Sequence, residues 1–172
     1  MTITVREMDG ADVGAVSEIR VRGWQAAYAG LVPQEYLDAM SVEEDAARRG
    51  QWFSRPERTS RDLVAVGERG PVGWISYGPW RGEAPAAPGA GEVYALYAAP
   101  ELIGTGIGRR LLDEAHARMR GEGFEASALW VLAGNERARR FYERAGYRAD
   151  GEAQDDPYDG IVLTELRYLR AL

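Results

Sequence analysis

The segment Val93–Arg109 reads VYALYAAPELIGTGIGR, and the rest of the chain is best interpreted around it. Its first six residues form an apolar, aromatic-rich run typical of a β-strand, and Pro100 ends the run shortly afterwards. Three glycines, Gly104, Gly106 and Gly108, then alternate with single residues, and an amphipathic pattern begins at once. The segment therefore predicts a strand, a glycine-rich turn and the N-terminus of a helix, in that order.

The predicted turn has the properties of a phosphate-binding site. Glycines let backbone N–H groups approach a ligand closely, and a helix N-terminus carries partial positive charge. Two nucleotide-binding motifs do not fit. A Walker loop requires Lys and then Ser or Thr after its last glycine, where this chain has Arg109 and Arg110. A dinucleotide fingerprint requires the spacing G-x-G-x-x-G, whereas the spacing here is G-x-G-x-G. For the glycines alone, a purely structural turn remains an alternative.

Outside this segment, the hydrophobic pattern predicts further helices and strands. Helices are expected to begin near Asp12, Pro33 and Ser41, since each residue suits a helix start and precedes apolar positions spaced at about 3.6 residues. Two more helices are predicted at 107–119 and 135–145, and strands at 3–5, 63–66, 72–77, 93–98, 128–132 and 161–169. This order predicts a mixed α/β fold in one domain that spans residues 1–172.

Two stretches have no regular apolar spacing and are predicted to be mobile loops. Residues 79–91 are rich in proline and glycine, which interrupt regular structure. Residues 150–160 are strongly acidic and are predicted to form a lid. They lack the ligand spacing of an EF-hand, so a calcium loop is not favoured.

The composition excludes several kinds of site. The chain has no cysteine, which excludes disulfides, thiolate metal sites and thiol nucleophiles. His116 is the single histidine, so a histidine-based metal site is not expected either. A net charge of −6 disfavours nucleic acid as a partner and mildly favours a cationic one. No apolar run reaches the roughly 20 residues of a membrane helix, and the first residues do not resemble a signal peptide. A cytoplasmic protein without membrane contact is predicted.

Three motifs in the chain resemble the GNAT superfamily of acyl-CoA-dependent N-acetyltransferases. The glycine turn is similar to that family's Arg/Gln-x-x-Gly-x-Gly/Ala motif, although Ile103 stands where Arg or Gln is usual. Residues 135–147, NERARRFYERAGY, resemble the family segment N-x-x-A-x-x-F-Y-E-x-x-G-F. Residues 24–33, WQAAYAGLVP, resemble the start of many bacterial members. The three motifs occur in the family's order and span most of the chain.

The resemblance implies a fold and a cofactor. The fold is a mostly antiparallel sheet of six to seven strands, flanked by about four helices, with a splay between the two central strands. The cofactor is acetyl-CoA as acyl donor, with no metal, and a homodimer is one assembly known in the family. The resemblance places the pantetheine arm and the pyrophosphate of CoA on Leu96, Tyr97, Ala98, Gly104, Thr105, Gly106, Ile107, Gly108 and Arg109, with a further contact from Asn135.

The resemblance also suggests catalytic residues. Tyr142 is the candidate general acid for the leaving thiolate, and it also belongs to the cofactor site; packing beside Phe141 is the alternative role. Glu92 is the candidate general base acting through water, and a solvated residue at a strand edge is the alternative. Tyr94 is expected on the same strand face as Glu92, because side chains alternate with a period of two. The backbone N–H of Ala98 is the expected oxyanion donor.

The acceptor is predicted to be a primary amine of a small molecule or a protein. Trp24, Tyr28 and Tyr36 lie in the N-terminal helices that wall the acceptor pocket in the family, and core packing is the alternative for Trp24. Two other protein classes stay open. One is a catalytically silent acyl-CoA-binding sensor of the same fold, and the other is a nucleotide-binding protein unrelated to CoA.

Two sets of residues are predicted to lie on the surface. His116 occurs in the middle of a helix pattern, away from its apolar positions. Four arginines in residues 137–144 are interleaved with glutamates, which is typical of a solvated helix face rather than a nucleic-acid patch.

Overall fold

A computed structural model describes residues 1–158 and 160–172. Seven strands form one sheet in the order β1-β2-β3-β4-β5-β7-β6. The strands are β1 Thr4–Glu7, β2 Arg61–Gly67, β3 Gly70–Pro79, β4 Ala90–Ala98, β5 Ala126–Leu132, β6 Arg148–Tyr158 and β7 Ile161–Ala171. The α-helices are α1 Val13–Ala27, α2 Gln34–Asp38, α3 Val42–Phe53, α4 Ile107–Gly121 and α5 Glu136–Arg144. The predicted fold class is confirmed, with seven strands and five α-helices in the described residues.

Capping side chains explain where two of the helices begin. The Ser41 hydroxyl accepts a hydrogen bond from Glu44 N at 3.2 Å at the start of α3. Asn135 does the same for α5, since its Oδ1 accepts from Ala138 N at 3.1 Å. Both caps satisfy backbone donors that have no partner within the helix. The helix starts predicted from sequence at these two positions are therefore correct.

The centre of the sheet contains an opening between β4 and β5. These two strands are the parallel pair of the sheet, and they are paired only over Ala90–Glu92 with Ala126–Ala128. Beyond that point β4 continues to Ala98 and β5 to Leu132 without pairing to each other. The predicted splay between the central strands is present here.

The acidic stretch 150–160 is not the loop that the sequence predicted. Most of it belongs to β6, which pairs antiparallel with β7 from Arg148 to Tyr158 around a bulge between Ala149 and Ala153. The strand lies at the edge of the sheet and is exposed over most of its length. A strand without a buried face shows no alternation of apolar and polar residues, so its pattern is that of a loop. Asp159 lies outside the described residues.

His116 is buried, and the prediction that it lies on the surface is wrong. It is 1% exposed on the face of α4 that packs on the sheet. Its Nε2 lies 2.6 Å from the Tyr147 hydroxyl, which is also 2.7 Å from Ser127 Oγ. Arg170 Nη1 lies 3.1 Å from its Nδ1. Burial and then the nearby Arg170 lower the pKa of His116 to about 4.

This buried imidazole predicts a loss of stability in weak acid. The folded pKa of about 4 lies below the ordinary value of 6.5, so the unfolded state takes up the proton first as pH falls. The stability contributed by the neutral ring is complete above about pH 6.5 and is lost as pH falls toward about 4, by up to about 3 kcal/mol. Urea unfolding of the wild type and of His116→Gln across this pH range measures the effect. We expect a flatter curve for the variant, and parallel curves would contradict the assignment.

Candidate functional site

A cleft of about 580 Å³ occupies the opening between β4 and β5. Its floor is formed by β4 and β5, one end by the glycine turn and α5, and the other end by α1 and the β6–β7 hairpin. Most of the predicted site residues line it, namely Trp24, Tyr28, Tyr94, Leu96, Tyr97, Ala98, Gly104, Gly106, Gly108, Arg109, Asn135 and Tyr142. Thr105, Ile107, Tyr36 and Glu92 are not in its lining.

The backbone of β4 presents hydrogen-bonding groups to the cleft. Ala99 N donates to Val72 O of the neighbouring chain segment at 2.9 Å. Because backbone groups alternate in direction along a strand, the N–H and C=O groups of Leu96 and Ala98 point away from β3 and into the opening. Those of Tyr97 point toward Trp74 on β3 instead. An added extended chain would therefore pair with Leu96 and Ala98, and Tyr97 contributes its side chain.

The glycine turn forms a cradle at the N-terminus of α4. Gly104 and Gly106 have φ values of 87° and 90°, in the left-handed region that favours glycine. A Cβ atom at either position would meet nothing within 4 Å, so the space above them is open. The first N–H groups of α4, starting at Ile107, have no carbonyl partner in a preceding helical turn. Open space and unpartnered donors together suit a phosphate group.

Thr105 and Ile107 serve the turn without lining the cleft. Thr105 Oγ1 donates to Leu102 O at 2.6 Å, which holds the turn closed. Ile107 is 1% exposed and packs in the main core, which anchors the start of α4 on the sheet.

Basic residues surround this end of the cleft. Arg109 lines it and is held by Asp113, with its Nε at 2.8 Å from Oδ1. Arg137 and Arg144 on α5 also line it. Both are exposed, as the sequence predicted for the arginines of α5, and they also border the cleft. A phosphate bound at the turn would be met by three guanidinium groups.

Helix α5 places Tyr142 in the wall of the cleft. The ring packs edge-on against Phe141 and Tyr147, with centroid distances of 5.1 and 5.6 Å. Its hydroxyl has no hydrogen-bond partner among the described residues. Burial, with smaller effects from the hydroxyls of Tyr147 and Tyr97, raises the pKa of Tyr142, which keeps the phenol protonated. Asn135 lines the cleft, but its side-chain oxygen already caps α5.

Glu92 is held by an arginine just outside the cleft. Its side chain is 3% exposed, and Arg81 binds both carboxylate oxygens, with Nη2 at 2.8 Å from Oε1 and Nε at 3.2 Å from Oε2. The pairing with β3 shifts register so that Tyr94 is an extra, bulged residue on β4. Tyr94 and Glu92 still meet at Arg81, because the ring of Tyr94 lies 4.0 Å from the guanidinium that binds Glu92.

The opposite end of the cleft has aromatic walls. Trp24 packs edge-on against Tyr28 at 4.4 Å, and its ring lies 5.4 Å from Tyr158 and 6.3 Å from Tyr36. Trp24 is 8% exposed, and its Nε1 is buried without a hydrogen-bond partner among the described residues. Tyr36 belongs to this cluster but stands behind the residues that line the cleft.

Sequence reasoning missed several residues of this end. Tyr158 and Glu165 line the cleft from β6 and β7, and Trp130 lines it from β5. Trp80, in the predicted mobile loop, stacks on Trp130 at 6.2 Å. A prediction of residues 150–158 as a strand paired with β7 would have indicated Tyr158 and Glu165, because the pairing brings the two strands together at the cleft.

Comparisons with known proteins agree with this geometry. A model of the acetyltransferase (GNAT) family matches residues 21–147. The chain belongs to this family. It is 31% identical over 95% of its length to an uncharacterized N-acetyltransferase, YuaI of Bacillus subtilis, and covers 90% of that protein. The predicted acyltransferase class is therefore confirmed.

A relative and a solved structure, both from Thermoplasma acidophilum, are also similar. A spermidine N(1)-acetyltransferase is 24% identical over 87% of this chain and 91% of its own. The crystal structure of PaiA N-acetyltransferase in complex with coenzyme A superposes with a TM-score of 0.76 at 22% identity, covering all of both chains. This second likeness shows the shared fold.

The glycine cradle predicts a selective effect of Gly106→Glu on acetyl-CoA binding. The substitution forces a side chain into left-handed backbone and places a negative charge beside the pyrophosphate, so we expect binding to weaken by about 100-fold or more. Isothermal titration with acetyl-CoA measures the change. Gly121→Glu is a charge-matched control at the far end of α4, where a Cβ also meets nothing within 4 Å. Equal affinity of the two variants would refute this placement of the pyrophosphate.

Proposed function

We propose that this chain transfers an acetyl group directly from acetyl-CoA to a primary amine of a small molecule or a protein. The observation that carries the proposal is the opening between β4 and β5. It joins unpaired backbone groups of β4, the glycine cradle and the Tyr142 phenol in one continuous cleft. For transfer from acetyl-CoA, the backbone groups would bind the pantetheine arm, the cradle would bind the pyrophosphate, and the phenol would act at the thioester.

The described residues fit acetyl-CoA along its length. Leu96 and Ala98 would pair with the amide groups of pantetheine, as an added strand pairs with a sheet edge. The cradle at Gly104 and Gly106 would receive the pyrophosphate. Arg137 and Arg144 would neutralise its charge from α5. When bound, acetyl-CoA supplies the activated acetyl group.

Acetyl transfer makes a C–N bond and breaks a C–S bond, and the protein must assist three changes. The carbonyl oxygen gains negative charge, for which the N–H of Ala98 is the proposed donor. The leaving thiolate needs a proton, for which Tyr142 is the proposed source. In water a phenol is a weaker acid than a thiol, and burial raises the pKa of Tyr142 further, so the phenol stays protonated until the thiolate leaves.

The third change is the loss of a proton from the amine, because an ammonium group has no lone pair for attack. Glu92 is the proposed base. It would act through a water molecule, since Arg81 occupies both of its oxygens and Glu92 itself stands outside the lining of the cleft. The same ion pair gives Glu92 a second role, which is to hold Arg81 over Tyr94.

Relatives of this chain support transfer to an amine. YuaI and the Thermoplasma spermidine enzyme are both named as N-acetyltransferases, and the second name specifies a small amine. The alternative is a silent acyl-CoA-binding sensor of the same fold. It would bind acetyl-CoA without releasing free CoA in the presence of any amine, and the unpartnered hydroxyl of Tyr142 in the cleft favours the enzyme.

Tyr142→Phe tests the proton donor. We expect the transfer rate to fall by about 10- to 1000-fold, the usual range for acid catalysis, with acetyl-CoA binding nearly unchanged. Free thiol release in an amine panel gives the rate, and titration gives the affinity. Tyr77→Phe is the matched control, because Tyr77 is a buried tyrosine whose hydroxyl bonds to Glu122 outside the cleft. A Tyr142→Phe variant with full activity would assign this residue to packing.

Glu92→Gln separates the two roles of Glu92. If Glu92 is the base, kcat falls and the acidic limb of its pH profile disappears. If Glu92 only anchors Arg81, the profile keeps its shape and Arg81→Gln lowers kcat by the same factor. Profiles of kcat against pH for both variants decide between the roles.

A further inference from the structure

The two ends of the cleft differ in charge. Arginines surround the glycine turn, as described above, whereas the aromatic end carries Glu165 in its lining. Asp156 and Glu92 lie close enough to Glu165 to act on it electrostatically, and both raise its pKa in addition to the larger effect of burial. Since Arg81 neutralises Glu92, Glu165 and Asp156 are the negative groups that count at this end.

Few positive groups are available to balance Glu165. Arg81 is near enough to lower its pKa, but the Arg81 guanidinium is bound in a fork to Glu92. Arg167, two residues along β7, is bound to Asp150 at 2.6 Å. Gln154 donates to Glu165 Oε2 at 2.8 Å, and Oε1 accepts no hydrogen bond from the described residues. A half-buried carboxylate with one unused oxygen suits an ammonium group from a ligand.

The walls around this carboxylate fit a small alkyl ammonium. Tyr158 and Glu165 line the same end of the cleft, and the carboxylate, after the larger effect of burial, raises the pKa of Tyr158. The ring of Tyr158 continues into the Trp24 cluster. Aromatic faces attract cations and bury methylene groups at the same time.

The carboxylate is better suited to a second nitrogen of the acceptor than to the reacting one. An ion pair stabilises the protonated form of an amine and raises its pKa. The reacting nitrogen must be neutral, so a pair with Glu165 would oppose the reaction there. A second nitrogen that remains an ammonium group during the reaction is stabilised by the ion pair with Glu165 both before and after acetyl transfer.

We propose that the acceptor is a compact amine with a second cationic nitrogen, a diamine or polyamine, and that Glu165 binds this non-reacting ammonium. The inference rests on the proposed function, since it names the acceptor class of the same cleft. It makes Glu165 a residue that determines specificity and has no part in proton transfer.

The test compares two acceptors that differ only in the second ammonium, 1,4-diaminobutane and 1-aminobutane. We expect the wild type to acetylate the diamine with a kcat/KM about tenfold or more above that of the monoamine, the scale of one hydrogen-bonded charge. Glu165→Gln should remove most of this preference through KM, with kcat and the affinity for acetyl-CoA little changed. Glu152→Gln, an exposed carboxylate on β6, is the matched control and should keep the preference.

A binding measurement separates this inference from the proposed function. Titration of 1,4-diaminobutane into the CoA-saturated protein should show affinity that Glu165→Gln lowers about tenfold. Equal kcat/KM for the two acceptors, or a preference that survives Glu165→Gln, would overturn the role of Glu165 and leave the transferase intact. Diamine binding that depends on Glu165, without acetylation of any amine, would support the inference and refute the transferase. Absence of diamine binding and of diamine acetylation would refute the inference.

Discussion

The parting of β4 from β5 is the constraint on which the rest of the site depends. Pairing between these strands stops after Ala128, and the bulge at Tyr94 turns β4 away at nearly the same level. The N–H groups of Leu96 and Ala98 are left without a strand partner in the middle of a sheet and face the cleft. A ligand that binds there as an extended chain could pair with them as a strand does. The glycine turn, α5 and α1 all border the opening that this separation creates.

The two ends of the cleft carry side chains of opposite charge. Three arginines line one end beside the helix N-terminus, and Glu165 lines the other. The net charge of −6 conceals this arrangement, because it averages the two ends with the rest of the surface. The proposed donor and acceptor differ in charge in the same sense as the two ends, and the proposed acid Tyr142 lines the same cleft.

Sequence predicted the parts of the fold that depend on local chemistry. The glycine turn, the caps at Ser41 and Asn135 and the helical position of Tyr142 each follow from residues within a few positions of one another. The errors depend on distant partners. His116 looks polar and exposed in its helix, but Tyr147 and Arg170 come from other elements to bind it. The bulge at Tyr94 likewise depends on pairing with β3, and the arginine on Glu92 comes from a proline-rich loop.

The edge strand β6 shows why hydrophobic periodicity in the sequence did not predict one of the strands. Its exposed backbone edge could pair with a strand of another molecule, which is the usual route to edge-to-edge aggregation. Acidic side chains along it, among them Asp150, Glu152 and Asp155, repel an identical strand. Charged residues protect the exposed edge of this strand from pairing with another molecule. The same residues remove the alternation of apolar and polar positions, so the sequence resembles that of a loop. The acidic side chains thus keep this edge of the sheet from pairing with a second copy, the task that a covering helix or loop performs at other sheet edges.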